Sequence, residues 1–330
     1  MDLAVYYPPN LPFSSRGYIE SVTAELKEMG HTIILFTGKE LPPSADIYWQ
    51  PSTGRNGPSE IFKKAEAPVV VTFHGAANLS LPLRICFKPG FKNQVYGLMS
   101  RINTFYSWRC RRPFWDAVIT VSDFAKREAE DYLGIGGHLI TPIYHGVDHK
   151  IFYPGTVGKD KEPYFLHISS YQPKKNLERI IAAYRRMSCK SKPRFKIVAP
   201  GYPHANYDEG IELIKKPLDH QSIALLYRNA LGFIFPSLSE TFGMPIIEAM
   251  ACGCPVITSN HPGCVEIAGD AAVIVNPYSV GEIKGAMRKL SSDSVLWQSM
   301  HERGINRAKQ FSWNKCAKEH LIVFQRLMMK

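Results

Sequence analysis

Short apolar runs alternate with segments whose apolar residues recur every three or four positions, and this alternation predicts strands separated by helices from end to end of the chain. In the first half the strand-like runs are residues 3–7, 32–37, 47–50, 68–73, 117–121 and 138–144. A second series comprises 164–169, 195–199, 210–215, 232–236, 255–259 and 271–275. Between them HGVDHKIFYPGTVGKDKEP, residues 145–163, is polar, rich in Gly and Pro and without period, so it is the predicted linker. The pattern implies α/β architecture: two Rossmann-like domains with parallel sheets facing a central cleft, 1–150 and 151–312. A last segment, 313–330, sets Trp313, Ala317, Leu321, Phe324 and Met328 along one helical face that needs a partner.

Open α/β sheets bind ligands beyond the carboxyl ends of their strands, which directs attention to the residues there. His74-Gly75 follows VVVTF, Ser122 follows AVITV, SSYQPKKN follows YFLHI, and SLSETFGMPIIEAMACGCPVITSN, residues 237–260, follows GFIFP. The last stretch reads as strand, tight loop and helix. Gly243 marks the turn, Pro245 suits a first helical turn, and Gly253 before Pro255 ends the helix. Free amides at such a helix start attract an anion, most often a phosphate. Glu240 and Glu248 bracket that pocket.

At 330 residues, 45% hydrophobic and 21% charged, the chain is long enough for two cores. No apolar run approaches the roughly 18 to 20 residues of a membrane span, and MDLAVYYPPN lacks the basic and apolar regions of a signal peptide, so a cytoplasmic location is expected. Seven cysteines, with only Cys252 and Cys254 close together, fit neither a disulfide framework nor a paired zinc site. The net charge of +11 points to acidic partners, among which nucleic acid, phosphorylated substrates and anionic lipid all qualify.

The segment 225–277 narrows the choice. Its Glu240-to-Glu248 spacing (E-x7-E), its loop ETFGMP and its helix EAMACG resemble the donor site of the retaining GT-B-fold glycosyltransferases of sequence family four. HGVD with IFYP, and PKKN at 173–176, match the same family in the same order. The resemblance implies a nucleoside diphosphate sugar as donor, with uridine expected before guanosine and glucose as the first sugar. It implies that Glu248 bonds the ribose and Glu240 the transferred sugar, with Thr241, Phe242, Gly243 and Met244 forming the loop between them. A carboxylate suits either role because it accepts two hydroxyl hydrogen bonds at once.

Lys174 and Lys175 are the candidates to neutralise the diphosphate, with Asn176 placed to cap the helix at Leu177. Fixed cations aimed at a departing phosphate make a metal unnecessary, and no D-x-D metal motif or cofactor fingerprint occurs. Where many relatives carry Gly-Arg this chain has Ser169-Ser170, so that either one diphosphate contact is missing or Lys174 replaces it; Ser170 is counted on the donor side. His74 is expected to face donor sugar and acceptor, since a neutral imidazole both donates and accepts. Catalysis is therefore assigned to His74, Lys175 and Glu240. The resemblance implies front-face attack, in which the donor phosphate takes the acceptor proton.

The first domain departs from the family: the loop YYPPNLPFSSRGYIESV carries one glycine, Gly17, assigned to the donor, and Arg16 and Ser122 join His74 on the acceptor side. A saccharide or lipid-linked acceptor follows from the resemblance. Residues 84–115 hold Arg84, Lys88, Lys92, Arg101, Arg109, Arg111 and Arg112 among aromatics, with no acid between them. That composition suits the anionic inner face of a membrane. A sugar-nucleotide epimerase on the same plan and a basic nucleic-acid-binding protein are the competing classes; no nucleic-acid motif supports the latter, and no nucleic-acid partner is expected.

Overall fold

The computed structural model describes every residue except 10, 39, 43–44, 54–56, 88–89, 156–161, 189–191, 204–209 and 330, together with all side chains of the described helices and strands other than those of 13–14. Lys88 of the basic segment and part of the predicted linker thus lie outside the described residues. The chain forms two compact units, Met1–Gly146 with Ser312–Lys330, and Val147–Phe311.

The first unit is built from β1 (Asp2–Tyr6), α1 (Phe13–Glu28), β2 (Thr32–Phe36), β3 (Ile47–Gln50), β4 (Val69–Phe73), α2 (Ala77–Ser80), α3 (Leu83–Cys86), α4 (Phe91–Cys110), β5 (Ala117–Thr120), α5 (Asp123–Leu133) and β6 (Ile140–Pro142). Its sheet is parallel, in the order β2-β1-β3-β4-β5-β6. β3 and β4 are buried along their whole length, which explains why VVVTF reads as an unbroken apolar run. One core joins Leu3, Val5, Ile19, Leu26 and Trp49; a second joins Ala4, Val69, Val71, Phe73, Trp108 and Trp115. Each large side chain so buried stabilises by about 1.5–3 kcal/mol relative to exposure.

The second unit contains β7 (Tyr164–Ile168), α6 (Leu177–Arg185), β8 (Arg194–Val198), β9 (Ile211–Ile214), α7 (His220–Asn229), β10 (Gly232–Phe235), α8 (Met244–Ala251), β11 (Val256–Ser259), α9 (Pro262–Ala268), β12 (Ala272–Val275), α10 (Val280–Ser292) and α11 (Ser294–Ala308). Its parallel sheet runs β12-β11-β10-β7-β8-β9. The core beneath it centres on Phe165, Ile180, Tyr184, Phe195, Ile234 and Met287.

The final helix, α12 (Trp313–Met328), belongs to the first unit and packs on α1. Its Ser312 cap accepts from the Lys315 amide at 3.2 Å, and Asn314 donates to Glu25 on α1 at 2.8 Å. The buried face is rotated from the predicted one: Cys316, Ala317, His320, Val323 and Phe324 are buried, whereas Met328 is exposed. At 3.6 residues per turn the expected line from Trp313 to Met328 drifts to the edge of the face that α1 covers.

The predicted linker is also more structured than its composition suggests. His145 is buried in the first unit, while Val147 and Phe152 are buried in the second, where the Arg228 guanidinium donates to the carbonyls of Ile151 and Tyr153. Carbonyls of a period-free segment can be satisfied by one long side chain, a pairing that local sequence does not announce.

Candidate functional site

In the second unit the chain runs outward through β7, β8 and β9, then returns to place β10 on the other side of β7 and continues through β11 and β12. β7 and β10 are neighbours whose successors lie on opposite sides, so the loops leaving their carboxyl ends diverge. Such a point opens a ligand crevice. Both motifs singled out in the sequence, PKKN and SETFGMP, leave from it.

The loop after β7 makes a single tight turn, Pro173–Lys175, and passes through Asn176 in the left-handed region at φ 64°. Asn176 does not cap α6 with its side chain, contrary to the expectation. Its buried amide instead donates to the carbonyls of Pro236 at 3.0 Å and Pro277 at 2.7 Å, and its oxygen accepts from Arg179 at 2.9 Å. Reaching two carbonyls across the sheet requires the side chain to point away from the helix start. The Leu238 amide donates to the Lys174 carbonyl at 2.8 Å, a second tie between the two loops.

These ties hold Lys175 against Glu240. Lys175 Nζ donates to Glu240 Oε1 at 2.6 Å, with side chains only 14% and 9% exposed, and the ammonium lies 5.0 Å from the centre of the Phe235 ring. Burial alone would raise the Glu240 carboxyl, but Lys175 and Lys174 outweigh it and hold the group below its usual range. The pair is ionised. An ammonium has three donors, so Lys175 can serve Glu240 and a phosphate oxygen together.

Gly243 adopts φ 80°, where a side chain is strained and an added Cβ would meet Ile246 Cδ1 at 3.1 Å. This turn starts α8 at Met244-Pro245 and brings its amino end beside Glu240, whose Cβ lies 3.8 Å from the position of that added carbon. Phe242 packs edge-on against Phe311 at 5.9 Å, fixing the loop, while Thr241 and Met244 are partly exposed. Glu248 follows one turn into α8. Burial pushes its carboxyl up to about 7, partly offset by Tyr227, whose hydroxyl is buried nearby without closing a hydrogen bond of good geometry.

Two histidines complete the site without having been marked by the sequence. His167 Nδ1 lies 2.8 Å from the Ile234 carbonyl, which can only accept, so that nitrogen carries the proton and Nε2 accepts from the Ser169 hydroxyl at 2.8 Å. Burial lowers His167 to about 4, so it is neutral, and it positions the backbone that leads to exposed Ser170. His261, at the start of α9, is lowered by burial while Glu240 pulls it the other way. The only sequence signal for either is a polar residue at or near the end of an apolar strand.

In the first unit His74 Nε2 donates to the Pro51 carbonyl at 2.7 Å, and its ring stacks on His145 at 5.8 Å and meets Tyr18 edge-on at 5.3 Å. Burial lowers its pKa, so the imidazole is neutral. Glu128 on α5, unmarked by the sequence, accepts from the Ala76 amide at 2.9 Å and the Ser80 hydroxyl at 2.7 Å, fixing the backbone just past His74-Gly75. The other candidates of this unit fare differently. Ser122 is fully buried and caps α5, accepting from the Ala125 amide at 3.0 Å, so its hydroxyl serves the helix rather than an acceptor. Arg16 folds back onto the carbonyls of Leu11 at 3.1 Å and Pro9 at 2.8 Å and braces its own loop. A Cβ on Gly17 would meet no protein atom, so packing does not demand glycine there.

Among the described residues no group of three or more His, Cys, Asp and Glu converges as a metal site would require. None of the described helices is long and apolar enough to cross a membrane.

Two family models match consecutive parts of the chain, glycosyl transferases group 1 over residues 152–311 and glycosyltransferase family 4 over 59–151. The chain is 30% identical to the O-antigen chain mannosyltransferase B of Escherichia coli over 50% of its own length and 46% of that protein. It thus spans less than half of that relative. An uncharacterised glycosyltransferase of Methanocaldococcus jannaschii is 24% identical over 88% of this chain and 76% of its own. Among solved structures, sucrose-phosphate synthase of Thermosynechococcus elongatus superposes with a TM-score of 0.77 at 16% identity, covering 100% of this chain and 99% of the other. HepE of Anabaena in complex with UDP-glucose gives 0.75 at 15% identity, over 99% and 100%. These neighbours identify the fold as GT-B.

Proposed function

Because the chain belongs to the family 4 glycosyltransferases, enzymes that act on sugar-nucleotide donors, we propose that it transfers a hexosyl group with retention from a nucleoside diphosphate sugar to a saccharide or lipid-linked acceptor. The observation that carries this reading is the ionised Lys175–Glu240 pair, held at 2.6 Å at the switch point beside the amino end of α8. Lys175, Lys174 and the α8 amides are suited to a diphosphate, Glu240 to sugar hydroxyls, and Glu248 to a ribose. The bond from the anomeric carbon to the phosphate oxygen breaks as the acceptor oxygen bonds that carbon on the same face. The acceptor proton passes to the departing phosphate. Fixed cations aimed at the charge that develops there are the main source of rate.

Similar proteins of Escherichia coli are mannosyltransferases, which moves the sugar in this reading from glucose to mannose. A thermal-shift comparison of GDP-mannose with UDP-glucose tests the donor, since a ligand at about 100 times its dissociation constant stabilises by about 2.7 kcal/mol. No shift with any nucleotide sugar would overturn the reading. Transfer is expected to persist in EDTA, because cations and amides of the chain neutralise the diphosphate. Activity lost to EDTA and restored by magnesium would replace that account.

A further inference from the structure

α4 has its amphipathic character reversed. Four residues turned inward are Gly97, Ser100, Thr104 and Trp108, three of them small. Gly97 is required there, because a Cβ would meet the Phe87 ring at 2.7 Å. Outward stand Phe91, Val95, Leu98, Met99, Ile102 and Tyr106, and Phe91, Met99 and Tyr106 are 84%, 65% and 61% exposed. At 3.6 residues per turn these six fall within an arc of roughly 100°. A helix that hides small residues and presents large apolar ones has its sequence set by something beyond its own unit.

Charge identifies what that is. Residues 84–115 contain no acid, and Arg84, Lys92 and Arg109 are exposed in this segment. Arg101, Arg111 and Arg112 do not contribute: Arg101 donates to the Asn78 and Leu81 carbonyls, Arg111 pairs with Glu60 at 2.6 Å, and Arg112 donates to the Trp115 carbonyl at 3.0 Å and lies over the Trp115 ring. An apolar stripe with Tyr106 at its edge and cations alongside, in a segment without an acid, complements an anionic bilayer surface, where the stripe enters the acyl boundary and the cations meet headgroup phosphates. A protein partner would need acids matched in position; a bilayer needs only net negative charge.

We propose that the outward face of α4 docks this protein on an anionic lipid surface. α4 is also tied to the segment that leaves β4 after His74: Arg101 holds the Asn78 carbonyl, and Asn78 donates to Thr104 at 3.1 Å. Docking therefore sets the backbone beyond His74 in register with the membrane plane, which suits a lipid-linked acceptor. The docking itself does not depend on the proposed transfer reaction.

Flotation of the full chain with vesicles tests the proposal. Vesicles containing about one third phosphatidylglycerol should carry at least about tenfold more protein than pure phosphatidylcholine vesicles, and raised salt should reduce the difference severalfold. The variant Leu98→Asp/Ile102→Asp should lose flotation yet keep its circular dichroism and its thermal shift with the nucleotide sugar. Equal flotation with both vesicle types, no flotation of the wild type, or undiminished flotation of the folded variant would each overturn it. So would a wild-type dimer in solution that the variant converts to monomer without vesicle binding, because the face would then belong to a second copy. The wild-type lipid comparison stands even where the variant fails to fold.

Discussion

Glu248 meets two opposed demands. Burial raises its carboxyl to about 7, above the unfolded value near 4.5, so its contribution to stability is full below pH 4.5 and is lost as pH rises through 7. Ribose hydroxyls, however, want the ionised form. Glu248→Gln should therefore stabilise the protein at pH 8 by an amount on the order of 3 kcal/mol, by about 1 kcal/mol at pH 5, and should weaken nucleotide binding at pH 8. For the wild type, nucleotide affinity should fall about tenfold from pH 8 to pH 6 as the free enzyme protonates, which calorimetry would detect. A pH-independent affinity would remove Glu248 from the ribose contact. Lys175 is tested by a cycle. Lys175→Ala leaves a buried carboxylate unpaired and should destabilise by about 3–5 kcal/mol, while turnover falls on the order of a hundredfold. Adding Glu240→Gln should restore stability and not turnover. Recovery of both would make the pair structural.

At the scale of elements, α12 is tied to the first unit by a directional chain of hydrogen bonds. The Cys316 carbonyl accepts from His320 Nδ1 at 2.8 Å, so Nε2 accepts from the Tyr18 hydroxyl at 2.6 Å. Tyr18 in turn lies 3.4 Å from the Thr72 hydroxyl, which accepts from the Trp49 indole at 2.9 Å. The entry to α12 depends on Gly146, because an added Cβ would collide with the backbone of Ser312 and Trp313. Backbone cannot move aside as a side-chain end can. Gly146→Ala should thus destabilise the first unit by about 1–3 kcal/mol, read as loss of the urea midpoint, with the nucleotide-sugar thermal shift of the second unit retained. An unchanged midpoint would show that the return segment yields freely.

At the scale of the molecule, each unit buries a neutral histidine, His320 in the first and His167 in the second, both lowered by burial to about 4. A histidine whose folded pKa lies below its unfolded value near 6.5 contributes stability that is present above pH 6.5 and lost as pH falls toward 4. The slope approaches about 1.4 kcal/mol per pH unit for each such histidine. Urea unfolding at pH 7, 6 and 5 should show both transitions shifting downward together. A profile flat across that range would mean that the imidazoles charge in the folded state.

The twelve strands found among the described residues were all legible in the chain; inner strands such as β3, β4, β10 and β11 are buried along their whole length and so are apolar runs bounded by polar turns. Glu240, Lys175 and Gly243 were legible too, as residues of a dense motif at strand ends. Sequence did not provide the strand order β12-β11-β10-β7-β8-β9, and that order alone makes neighbours of the loops after β7 and β10, 65 positions apart at Lys175 and Glu240. Nor did it mark Asn176, His167, Glu128 or His320 for their roles, since each bonds a carbonyl, amide or hydroxyl supplied by a different element. Ser122 shows the converse: a strand-end serine carries the same local signature whether it faces a ligand or caps a helix. Local periodicity, set by whether each side is covered, is written in the chain; which distant groups converge is decided only when sheets order their strands and buried polar atoms find their partners.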